Sequence, residues 1–124
     1  MSQASRQSAR QLYVTISQGD VWQINFAEGA ERPGVVVTRN QLNAGRLILV
    51  VPCTGTRVEE RARYQNNIVI ELGISGLSDR SVAQVHLIQP VARDWFLWRR
   101  GRVTDETLCE ILRALAWAVD FFPS

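Results

Sequence analysis

The stretch RPGVVVTRNQLNAGRLILVVPCT, residues 32–54, holds two runs so dense in β-branched and aliphatic residues that both read as strands. The first, GVVVTR at 34–39, follows Arg32 and Pro33 directly. Proline disfavours the α conformation in the residue before it and belongs at the start of a strand. Arg32 is therefore expected to be extended, at the end of the loop running from Phe26 to Arg32, and facing outward. The second run, RLILVVPCT at 46–54, ends on Cys53 and Thr54, so the Thr54 hydroxyl emerges where the strand stops.

Outward from this pair the same texture continues. LYVTI at 12–16 alternates, and DVWQINF at 20–26 places Val21, Trp22, Ile24 and Phe26 in a strand-like run. NNIVIEL at 66–72 and SVAQVHLIQPV at 81–91 follow at similar intervals, with Gly, Asn, Ser and Asp clusters between them. Short strands so spaced predict a small antiparallel barrel or curled sheet. The period then changes. VTDETLCEILRALAWAVDFF at 103–122 offers Thr104 or Asp105 as N-cap and sets Leu108, Ile111, Leu112, Leu115, Val119 and Phe122 on one helical face, with Pro123 as the stop. The expected fold is mainly β (α+β), a single domain over 12–124 with a long C-terminal amphipathic helix. Residues 1–11, rich in Ser, Gln and Arg, read as a flexible arm.

Composition excludes several classes of function. The 124 residues suit one core, with 46% hydrophobic and 21% charged residues. The net charge of +2 permits an anionic partner without requiring one, and all 14 basic residues are arginine. Cys53 and Cys109 are too few for a disulfide framework and too far apart for a metal motif, so a reducing setting is expected. No run approaches the roughly 18 apolar residues that cross a bilayer, and the polar start lacks a signal-peptide core, which points to a cytoplasmic protein without membrane contact. With one histidine, His86, and no Gly-rich phosphate loop, the sequence offers neither a zinc site nor nucleotide-dependent chemistry. What it offers instead is metal-free and cofactor-free chemistry on a phosphate, which needs arginine, a hydroxyl and one titrating group.

Five collinear motifs then become specific: GDVWQINF at 19–26, RPGVVVTRNQLN at 32–43, LVVPCTGT at 49–56, SVAQVHLIQPV at 81–91 and GRVTDETLCEI at 101–111. Over roughly residues 18–119 this series resembles the MazF/PemK family of toxin endoribonucleases. The resemblance implies a compact SH3-like, CcdB-like barrel with short helices, and a homodimer. It also implies metal-independent cleavage of single-stranded RNA and inhibition by a cognate antitoxin through an acidic C-terminal segment. Two other functions remain open: a non-nucleolytic toxin on the related barrel that inhibits a topoisomerase, and an inactive RNA-binding or interaction module.

Carried over residue by residue, the resemblance makes Arg32, Thr54 and His86 the catalytic set. A guanidinium stabilises charge on a phosphorane and a hydroxyl holds a phosphate oxygen. An imidazole titrates nearer neutral pH than a carboxylate, and His86 stands where several relatives have an aspartate assigned to acid/base chemistry. Glu28 and Glu31 of a shortened loop, Thr56, Arg57, Gln84 and Gln89 form the expected RNA-contacting set. Gln84 lies where certain relatives carry a second arginine. Plainer roles stand beside these: an ion pair of Arg32 with Glu31, a turn hydroxyl at Thr54, a structural His86. RDWFLWRRGR at 93–102 interleaves Trp95 and Trp98 with arginines ahead of the helix, a mix suited to RNA, to an acidic apolar tail, or to a helix-flanking surface.

Overall fold

The computed structural model describes residues 14–26 and 29–120. The expected arm at 1–11, Glu28, Phe122 and Pro123 lie outside the described residues. Seven strands form one antiparallel system: β1 (Asp20–Phe26), β2 (Ala30–Val36), β3 (Leu47–Thr54), β4 (Asn67–Ile70), β5 (Ser81–Gln84), β6 (Gln89–Ala92) and β7 (Phe96–Arg102). A one-turn helix, α1 (Val58–Arg61), follows β3, and α2 (Asp105–Ala118) closes the described chain.

The strand order is β4-β5-β3-β2-β1-β7, with β6 added on β3. Strand β3 is the hub. One of its edges takes β2, from Gly34↔Pro52 to Val36↔Val50. Its other edge is shared: β6 takes Leu47 to Val50 and β5 takes Cys53 and Thr54. The sheet curls as expected, and β4 and β7 remain as the two ends of the order, so the curl is not a closed barrel.

Both faces of this sheet are covered, which is why the valine runs do not alternate with polar residues. Val21, Val35, Val51, Cys53 and Ala83 point to one core, roofed by Ile111 and Ala114 of α2. Trp22, Ile24, Phe26, Val36, Ile48, Val50 and Phe96 point to the other. The second core closes over Gly34, where an added Cβ would stand 2.4 Å from a Val50 methyl and 3.1 Å from Ile24.

Four details depart from the sequence reading. Of LYVTI only Val14–Ile16 is described, and it forms no strand. Instead the buried Arg93 guanidinium donates to the carbonyls of Val14 and Asn43 and ties this segment down. SVAQVHLIQPV is two strands, not one, separated by a 3₁₀ turn at Val85–Leu87 that steps the chain from one half of β3's shared edge to the other. Most of WFLWRRGR is the edge strand β7, whose exposed side chains hide the usual alternation. On α2, capped by Thr104 Oγ1 accepting from Thr107 N at 3.1 Å, the buried stripe runs through Ile111 and Ala114, whereas Leu112 (36%) and Val119 (66%) are exposed.

Two outcomes test this packing. Replacing Gly34 with alanine is expected to overpack the second core and cost about 1–3 kcal/mol, read as a lower thermal midpoint. Burial pushes the Cys53 thiol up to about 12, while Cys109 is exposed. A thiol reagent at neutral pH is therefore expected to label one cysteine in the native protein and the second only after denaturation.

Candidate functional site

Arg32 stands within β2, two residues after its start, not in a loop. The expected loop from Phe26 to Arg32 is cut short because Phe26↔Ala30 and Asn25↔Glu31 already pair β1 with β2, and Gly29 turns the chain at φ 77°. Ladder partner Ile24 and the following Pro33 fix the Arg32 backbone from two directions. Its side chain lies on the face of Ile24, whereas Glu31 projects from the opposite face. Arg32 is exposed and makes no ion pair among the described residues, so the Glu31 pairing is not formed.

Thr54 is the last residue of β3. The β2–β3 pairing ends at Gly34↔Pro52, and by the two-residue alternation Arg32 and Thr54, each two residues beyond that last pair, carry their side chains on the same face. Its Oγ1 accepts a hydrogen bond from Thr56 N at 3.2 Å. That is the turn hydroxyl expected as the plainer role, yet the bond uses only an acceptor lone pair. The hydroxyl proton is left to donate. Arg32 and Thr54 thus present a guanidinium and a hydroxyl side by side at the end of β3, a geometry that suits a tetrahedral anion.

His86 is not brought to them. It sits in the 3₁₀ turn that spans from Cys53↔Ala83 to Val50↔Gln89, alongside Val50 and Val51. At about 3.3 Å per residue this is about 10–13 Å along β3 from Thr54. Its Nδ1 meets Asn66 Nδ2 at 2.6 Å. With the amide donating, Nδ1 accepts, and Nε2 is the ring nitrogen left to face the surroundings.

The remaining expected contacts divide. Thr56 and Arg57 are exposed in the turn after Thr54, but Arg57 is paired to Glu60 at 3.1 Å as it enters α1. Gln84 is buried at 7% exposure. Gln89 lies beyond the 3₁₀ turn with Nε2 on Leu87 O, and lines a separate hollow with Asn25, Phe26 and Trp95.

Sequence reasoning passed over the other wall of the site. A cleft of about 240 Å³ is lined by Pro33 and Gly55, the chain neighbours of Arg32 and Thr54, and by Leu77, Ser78, Asp79, Ser81 and Arg100. Arg100 Nη1 donates to Gln23 Oε1 at 2.8 Å, its Nη2 to Ser78 Oγ at 3.4 Å, and its guanidinium lies 5.0 Å from the Trp98 ring centroid. The turn carrying Asp79 and Ser81 is set by Arg80, which pairs with Glu71 at 3.1 Å and also with Glu59. These pairs raise the Arg80 pKa, the Glu71 hydrogen bond first. The only signal in the sequence was the arginine-tryptophan interleaving at 95–102.

Comparison with known proteins places this geometry. The family model described as PemK-like, MazF-like toxin of type II toxin-antitoxin system matches residues 17–119. The chain is 32% identical over 105 residues to probable endoribonuclease MazF5 of Mycobacterium tuberculosis (strain ATCC 25618 / H37Rv), covering 84% of this chain and 93% of that protein. It is 30% identical over 117 residues to endoribonuclease MazF9 of the same organism, covering 85% and 97%. Among solved structures, a mycobacterial endoribonuclease in complex with its cognate antitoxin superposes with a TM-score of 0.73 at 20% identity, over 88% of this chain and 99% of that one. MazF (Form-I) from Deinococcus radiodurans gives 0.73 at 17% identity, over 87% and 99%.

Proposed function

The chain belongs to the PemK-like, MazF-like family of type II toxins, and from that premise we propose that it is an endoribonuclease cutting single-stranded RNA at the Arg32–Thr54 pair. The placement of these two residues on one face, each two residues beyond the Gly34↔Pro52 pair of β2 and β3, is the observation that carries the assignment. The 2′-hydroxyl of one nucleotide attacks the neighbouring phosphorus, the O2′–P bond forms, and the P–O5′ bond breaks. The products are a 2′,3′-cyclic phosphate and a 5′-hydroxyl.

Charge gathers on the nonbridging oxygens in the transition state. A guanidinium carried on a backbone set by a ladder pair and a proline has less freedom to lose on meeting it, which strengthens such a donor. Thr54 donates its free proton to one of those oxygens. Arg32 is a poor base because guanidinium does not give up its proton near neutral pH. In this reading the 2′-hydroxyl proton passes to water, the departing 5′-oxygen takes a proton from water, and His86 stands outside the chemistry. The positive charge that a divalent ion would supply comes from Arg32, so the reaction runs without metal.

The endoribonuclease names of the two curated relatives favour this reading over topoisomerase inhibition. The antitoxin complex among the structural neighbours supports a cognate antitoxin as protein partner. A homodimer fits the exposed Trp95, Trp98, Leu47 and Leu49, which leave apolar surface at β3 and β7.

Incubation of the purified protein with mixed single-stranded RNA in excess chelator is expected to give discrete fragments with cyclic-phosphate ends; intact RNA would overturn the nuclease. Arg32→Ala is expected to slow cleavage by about 10²–10³ with an unchanged melting curve, and Thr54→Val by about tenfold. For His86→Asn the expected pH-rate profile coincides with that of the unaltered protein. Loss of a limb near neutral pH in that variant would return His86 to the reaction.

A further inference from the structure

The cleft beside the Arg32–Thr54 pair has a chemistry of its own. Its walls bring one carboxylate, one guanidinium and two hydroxyls, from Asp79, Arg100, Ser78 and Ser81, around a floor of Pro33, Gly55 and Leu77. At about 240 Å³ it is smaller than the roughly 300–1,000 Å³ of pockets for larger ligands, a size suited to a single flat ring system. Thr54 and Ser81 mark the ends of paired strands β3 and β5 at this rim. A nucleotide whose phosphate rests on Arg32 and Thr54 can therefore pass its base over Gly55 and into the cleft.

The wall is built rather than accidental. Gly76, at φ +70°, has no room for a Cβ, which would stand 2.0 Å from Arg100 O. Arg102 N donates to Ile74 O at 2.8 Å, so β7 is held tightly against the turn that precedes Ser78. Arg100 is anchored at Gln23, Ser78 and Gly76 O, which takes Nε and Nη2 at 3.4 Å, and the second proton of Nη1 is left to donate. The exposed Asp79 carboxylate has no partner among the described residues. Arg80, next to it, is fully engaged by Glu59 and Glu71, which leaves Asp79 free of a neutralising neighbour on its own turn.

We infer that this cleft is a guanine-selecting subsite for the nucleotide adjoining the scissile phosphate, an inference that rests on single-stranded RNA as the ligand. Guanine is the base that offers two donors, N1–H and N2–H, to one carboxylate, and an acceptor, O6, to the remaining N–H of Arg100. Adenine turns an acceptor, N1, toward Asp79 and a donor, N6, toward Arg100. Cytosine makes the same two mismatches. Uracil offers Asp79 one donor, N3–H, where guanine offers two.

Short 2′-O-methyl oligonucleotides, which lack the attacking hydroxyl, carrying a single guanine, adenine, cytosine or uracil in an otherwise constant sequence, separate this inference from the nuclease reading. Binding of the guanine oligonucleotide at least tenfold tighter than the adenine one is expected, with the difference reduced to within about twofold in Asp79→Asn, a change of one exposed group. Arg100→Gln gives a second reading of the same preference, with thermal melts confirming that both variants are folded. Equal binding of all four oligonucleotides, or a guanine preference that survives both substitutions, overturns the subsite. The unmodified RNA versions report the reaction separately. Guanine-selective binding without cleavage overturns the endoribonuclease and keeps the subsite, whereas cleavage indifferent to guanine does the reverse.

Discussion

Everything in this fold depends on β3, because both of its edges are in use and most of its residues are buried. Val50 to Pro52 pair with β2 on one edge, and the other edge is taken by β6 at Leu47 to Val50 and by β5 at Cys53 and Thr54. An eight-residue strand cannot give a full edge to two neighbours, so the chain between them must leave the ladder and rejoin it. The 3₁₀ turn at Val85–Leu87 does this, and the sheet bends around it. The curl, the two separate cores and the termination of β3 and β5 at a common rim all follow from that division.

The rim is where function collects. Residues inside the sheet are packed on both faces, so polar side chains reach open space only at strand ends and in the turns that join them. Arg32, Thr54, Gly55 and Ser81 lie there together. A strand end also answers the question of precision. A guanidinium carried on a loop would lose conformational freedom on meeting a phosphate, whereas Arg32 has its backbone set in advance by Ile24 and Pro33. Its aliphatic stem also continues the apolar face begun by Ile24 and Phe26, which favours an extended side chain with its charged end outward.

Much of this was legible in the residues. Dense β-branched runs marked β1, β2 and β3, proline marked the backbone at Arg32, and the change of period marked α2 with its Thr104 cap. The misreadings share one physical cause, which is that hydrogen-bonding edges are a property of the whole sheet. LYVTI has the alternation of a strand, but its described residues Val14–Ile16 join no ladder and are held instead by Arg93 at the Val14 carbonyl. SVAQVHLIQPV has the length of one strand but must serve an edge already divided, and this is what carries His86 away from Thr54. The 76–81 turn reads as a plain Gly, Ser and Asp linker until Gly76 and Gly101 press it against β7 and set Asp79 opposite Arg100. The helix stripe was misjudged for a related reason: α2 rests on β4 and the 3₁₀ turn along only part of its length, so Leu112 and Val119 have nothing above them.

The two halves of the site lie on opposite faces of one strand, and that makes register the decisive quantity. In β2, Arg32, Gly34 and Val36 share the face of the second core, while Glu31, Pro33 and Val35 share the other. A slip by one residue would exchange these sets at a stroke, sending valines to the wrong cores and turning Arg32 from Thr54 toward the cleft. Backbone hydrogen bonds alone do not forbid such a slip. The close approach of Val50 to Gly34 does, because any residue with a side chain brought to that position meets the Val50 methyl at 2.4 Å. A contact buried in the core, with no part in chemistry, thereby decides which face carries the anion site and which carries the base cleft.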